Sequence, residues 1–173
     1  MTIDASPIAS DFDRGSHHYV DLGLVLAFGL KNTPPSAVQG ICDRATESFA
    51  REVLHWPNGR LIKPDIFKVD EVSENLHDLD ACTELFINRL RSLFESPPPY
   101  EIPIYPHAFI VVDEEDVQYP EHVTLAMAHQ VDERWKIDYC VVPTHVELGM
   151  VVDSFRLGDG EKQDVLDKYP IFQ

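Results

Sequence analysis

Three side chains in the second half of the chain have types and spacing suited to acid–base chemistry. His145 and Glu147 stand two apart in His145-Val146-Glu147-Leu148, and His122 opens His122-Val123-Thr124-Leu125. On an extended strand residues i and i+2 share a face. An imidazole and a carboxylate so placed would lie side by side, the acid orienting the base. That pair, with His122, is the candidate catalytic set. It would serve a small cofactor-independent enzyme of the isomerase, dehydratase or cyclase type. Imidazole and carboxylate also suit zinc or iron. However, a bare His-x-Glu is too common a pattern to specify a metal, and none is expected. The second concentration is Asp113-Glu114-Glu115-Asp116, four consecutive carboxylates directly after an apolar run. They have no Gly-rich phosphate loop beside them and lack the glycine and closing glutamate of an EF-hand. They read as a solvated acidic turn, with a patch that faces a basic partner as the functional alternative.

Other catalytic patterns are missing. His-x-Thr at 122–124 resembles one half of the paired signature of the 2H phosphoesterases. That family needs two copies, and the second position here, at 145–147, carries a carboxylate where a phosphate-binding hydroxyl is required. The chain has no G-x-S-x-G, no G-x-G-x-x-G and no Walker motif, so no nucleophile elbow and no nucleotide cofactor is indicated. The three cysteines, Cys42, Cys82 and Cys140, have neither C-x-x-C nor zinc-like spacing. Three cannot all pair within one chain, and a reducing, cytoplasmic setting is the simplest reading. The first residues lack the apolar stretch of a signal peptide. Leu22–Leu30 is far too short for a membrane span, which needs roughly 20 residues.

The elements that must hold these groups follow from periodicity. Residues 1–16 read as a flexible lead-in. His17–Leu30 reads as a strand that is apolar on both faces at its centre, the mark of a strand covered on both sides. Thr33-Pro34-Pro35 is a helix start, with Thr33 as N-cap and proline in the first turn. Val38, Ile41, Cys42, Ala45, Phe49 and Val53 then follow at helical spacing. A second amphipathic helix is predicted over 75–95, bounded by Pro97-Pro98-Pro99. From Tyr100 the period becomes 2. Strands are predicted at 108–112, 122–128, 135–142 and 145–153, the last three as an antiparallel meander. Matching apolar faces pairs Val123 with Val141, Leu125 with Tyr139 and Met127 with Ile137. The other face then collects His122, Thr124, Asp138, Cys140, His145, Glu147 and Asp153. The expected fold is α+β: a curved antiparallel sheet of about five strands with the two helices packed on one face. One globular domain spans 17–157, and 158–173 is a C-terminal tail.

Charge narrows the function classes. Thirty acids against 14 bases leave a net charge of −16 in 173 residues. Residues 101–173 alone hold 15 acids and 5 bases, and 65–84 hold seven acids and one lysine. Such a surface repels nucleic-acid backbones and anionic membranes and speeds encounter with basic proteins. The leading expectation is therefore an acidic protein-binding module of the inhibitor or immunity type, neutralising a basic partner such as a nuclease or toxin through Asp113, Glu114, Glu115 and Asp116. The alternative is the small enzyme using His122, His145 and Glu147. No cofactor is implied in either case.

Overall fold

A computed structural model describes residues 24–53, 66–70, 76–94, 104–131, 134–157 and 167–169. The expected lead-in 1–16, the first part of the 17–30 strand and most of the tail lie outside the described residues. The described elements run β1 (Leu24–Gly29), α1 (Pro35–Val53), β2 (Phe67–Val69), α2 (Leu79–Phe94), β3 (Ile104–Val112), α3 (Glu114–Gln118), β4 (His122–Val131), β5 (Arg134–Pro143) and α4 (Val146–Leu157). The fold is α+β, with one sheet of five described strands in the order β2-β1-β3-β4-β5.

β1 is central, as its two apolar faces require, and it runs parallel to both neighbours. Val25 pairs with Phe67 of β2, and Ala27 with Ile110 of β3. The antiparallel part is the longer one: β3 pairs with β4, and β4 with β5 over their full ten-residue lengths. The mixture follows from the connections. An α-helix between two strands makes a crossover and returns the chain parallel, whereas the short links after β3 and β4 allow antiparallel return.

The expectation that α1 and α2 share one face is corrected. From β1 the chain crosses by α1 to β2 on one side, then by α2 back over β1 to β3 on the other. Crossovers are right-handed, so two that travel in opposite directions across a sheet place their helices on opposite faces. The core divides accordingly. Val38, Ile41, Cys42, Ala45 and Phe49 of α1 pack with Val25, Ala27, Ile110 and Leu125. On the other side Cys82, Phe86, Ile87 and Leu90 of α2 pack with Leu26, Phe28, Phe109 and Val111. Phe109 anchors the second layer, 4.7 Å from Phe86 and 5.5 Å edge-on from Phe28, ring centre to ring centre. Arg89 of α2 ties the helix to the end of β2 through two hydrogen bonds to Asp70, at 3.0 and 3.2 Å.

Two further corrections concern the second half. The β4–β5 register is one residue away from the expected one: Val123 faces Val142, Leu125 faces Cys140 and Ala126 faces Tyr139. A slip of one residue turns a strand over. Cys140 and Val142 thus join the α1 layer, while Ile137 and Tyr139 face α2. The expected register assumed one polar face, but both faces are covered. The small residues Ala126 and Ala128 sit opposite Tyr139 and Ile137, and Tyr139 Oη reaches Thr83 Oγ1 at 2.5 Å and donates to Leu79 O at 3.3 Å. The segment 145–153 is not a strand; α4 begins at Val146. Leu148 and Val152, four apart, are buried against α1, and Met150 is exposed. Gly149 is where α4 meets α1: a Cβ placed there would lie 2.8 Å from Phe49 Cγ and closer still to its Cβ. Tyr169 of the C-terminal segment is also buried in this layer.

Candidate functional site

The parallel strands β1 and β3 end side by side, at Gly29 and Val112. At those ends the chain leaves β1 by α1 toward β2 and leaves β3 toward β4, in opposite directions along the sheet. Ligands of open sheets commonly bind where the connections part in this way, outside the carboxyl ends of the strands. The β1–α1 loop is tightly held there. Leu30 N donates to Val112 O at 2.9 Å, Lys31 N to Leu76 O at 2.9 Å, and Thr33 N to Leu30 O at 2.8 Å. The turn depends on Asn32 in the left-handed region, φ 70°, a conformation asparagine tolerates better than most residues. It also depends on Gly29, where a Cβ would come within 2.6 Å of Thr33 O. Thr33 does not cap α1 as expected. Val38 N already donates to Pro34 O at 3.3 Å, while the Thr33 hydroxyl is buried with no hydrogen-bond partner among the described residues.

The four carboxylates after β3 form a short helix rather than a plain turn. Asp113 is its N-cap, and a reciprocal capping box holds it: Asp116 N donates to Asp113 Oδ1 at 2.8 Å, and Asp113 N to Asp116 Oδ2 at 2.9 Å. Three acids in the first turn suit the positive end of the helix. Asp116 is pushed up to about 6, chiefly by burial and also by Asp113 and Glu115; the Asp113 N–H and His122 act against that rise. Glu114 and Glu115 are free of capping duty and exposed.

Between this helix and the β1–α1 loop lies an open groove of about 700 Å³, lined by Asn32, Pro34, Glu114, Glu115, Val117, Gln118 and Tyr119. Val117 and Tyr119 are 40 % and 63 % exposed, and they are two of the three large hydrophobic side chains on the surface of the described residues. The predicted partner-binding acids are therefore brought to a groove, two as its wall and two as the cap of its helix. Sequence reasoning missed Asn32, Val117, Gln118 and Tyr119. Val117, Gln118 and Tyr119 follow the acids on the same short helix, whereas Asn32 joins the site only because β1 and β3 are adjacent and parallel.

The candidate catalytic residues are arranged differently from the expectation. His122 is exposed at the start of β4, paired with Pro143, and lies near Asp116. His145 is exposed in the turn before α4, and Glu147 stands half-buried in the helix's first turn. The expected side-by-side geometry required a strand; instead His145 stands in the turn and Glu147 in the helix that follows it. Asp138 and Cys140 lie on the sheet face opposite Thr124. Among the described residues no group of three His, Cys, Asp or Glu side chains could hold a metal ion. Burial pushes the thiols of Cys42, Cys82 and Cys140 up to about 12, which leaves them poor nucleophiles at neutral pH. No helix of the described residues is long and apolar enough to cross a membrane. Compared with known proteins, the chain matches no family model, no curated protein and no solved structure.

Proposed function

We propose that this protein is an acidic binding module that meets a basic protein partner through the groove-side face of α3. The observation that carries this reading is the coincidence, in one short segment, of exposed carboxylates and exposed apolar side chains: Glu114 and Glu115 beside Val117 and Tyr119. Solvated acids alone are ordinary surface. Acids surrounding exposed aromatic and aliphatic groups have the composition of an interface, in which an anchor is buried and charges steer the encounter. The net charge of −16 extends that steering over the whole molecule. An inhibitor or immunity-type role against a basic nuclease or toxin fits this surface.

The test compares the wild type with Glu114→Gln/Glu115→Gln and with His145→Ala/Glu147→Ala in affinity capture across a salt series. Captured proteins are identified and their isoelectric points compared. The reading expects basic proteins, released by salt, lost in the first variant and retained in the second. Retention unchanged in the first variant would refute it.

A further inference from the structure

We infer that the groove between the β1–α1 loop and α3 is a receptor for one arginine side chain, presented by an extended basic segment of the partner. This inference rests on the basic-partner reading and specifies how that partner is held. The lining supplies what a guanidinium requires. Glu114 and Glu115 offer carboxylates for paired, charge-assisted hydrogen bonds. Tyr119 offers an exposed ring on which a planar cation stacks. Asn32 and Gln118 offer amide oxygens for the remaining N–H donors, and Val117 and Pro34 offer apolar surface for the methylene stem. Among the described residues no lysine or arginine lines the groove; the nearest base in sequence is the exposed Lys31. Five donors in a rigid fork match two carboxylates and two amides better than the compact ammonium of lysine does.

Both walls of the groove are held by hydrogen bonds. One is tied by backbone bonds to β3 and to Leu76, the other by the Asp113–Asp116 capping box. The choice of a peptide over a free small molecule follows from shape. About 700 Å³ exceeds one side chain, and the groove is open to solvent rather than enclosed, so a chain can pass over it while one residue enters.

The experiment is an amide chemical-shift titration of the full chain at low salt with three probes: a hexa-arginine peptide, a hexalysine peptide and arginine amide. The expected result is shifts concentrated at residues 31–34 and 114–119, with hexa-arginine binding roughly tenfold more tightly than hexalysine. Arginine amide should shift the same residues, but far more weakly. Tyr119→Ala and Glu114→Gln/Glu115→Gln should each abolish that preference, and Lys31→Gln should strengthen binding. Equal affinity for arginine amide and the peptide would make the groove a small-molecule site and overturn the inference. If both peptides bind but shift acidic residues elsewhere, the groove assignment fails while the basic-partner reading stands. If neither peptide binds, both fail.

Discussion

Alanine substitution at two helical glycines should have opposite effects, and the difference tests the corrected fold of the second half. Gly40 lies on the exposed side of α1, and a Cβ there would meet nothing within 4 Å. Gly40→Ala therefore gains only the helix propensity, about 0.8–1.0 kcal/mol. Gly149→Ala gains the same propensity in α4 but inserts a methyl 2.8 Å from Phe49 Cγ and nearer still to Phe49 Cβ. Carbon atoms in contact prefer about 3.5–4.0 Å, so α4 must move off α1 by about 1 Å. Phe49 Cβ is fixed to the backbone and cannot rotate away. Overpacking of this kind costs about 1–3 kcal/mol, here toward the upper end, which leaves about 1–2 kcal/mol of net destabilisation. The two variants should then differ by about 2–3 kcal/mol in urea unfolding followed by far-ultraviolet circular dichroism. In thermal melts each kcal/mol should appear as about 2–4 °C for a chain of this length. If Gly149→Ala proves as stabilising as Gly40→Ala, α4 does not cross α1 at Phe49, and the packing described above is wrong.

Leu148→Ala, which empties a fully buried position between α4 and the sheet, should cost about 2–5 kcal/mol, whereas Met150→Ala on the exposed side should cost under about 0.5 kcal/mol; equal costs would favour a strand with the faces first expected. Asp116 titrates near 6 when folded, above the ordinary carboxyl value, so its contribution favours the fold below about pH 4 and is lost as pH rises through about 6. The stability of the wild type relative to Asp116→Asn should therefore fall between pH 4.5 and 7.5, and a carboxyl titration by NMR that placed Asp116 at or below 4 would contradict this. Arg89→Ala leaves the nearly buried Asp70 carboxylate without its guanidinium and should cost about 1–3 kcal/mol, while Arg51→Ala, at a 3.8 Å pair on the solvent side of α1, should cost under about 0.5 kcal/mol.

The contrast between these helices marks how far the sequence could be read. α1 was legible because Val38, Ile41, Cys42, Ala45 and Phe49 form a long apolar stripe after a double proline, and the observed helix starts at Pro35. α2 was legible from its own apolar stripe, closed by Pro97-Pro98-Pro99, and β1 announced two covering layers by its consecutive apolar residues, of which Val25 and Leu26 are both buried. α4 was misread because Val146, Leu148, Met150 and Val152 alternate as a strand would, while Leu148 and Val152 also satisfy a helix. A short apolar run cannot choose between the two periods. Gly149 was the overlooked sign, since a strand would have no use for it, whereas α4 needs it to approach Phe49.

The sequence by itself determined the class of the fold, the two long helices, the charge and the acidic segment after β3, because each depends on residues close together in the chain. Tertiary structure decided which face each helix covers and how β5 registers on β4. Those outcomes depend on crossover handedness and on packing from both sides, neither of which is written in local periodicity. It also decided the site. Asn32 and Tyr119 are far apart in sequence, and they line one groove only because two parallel strands end together.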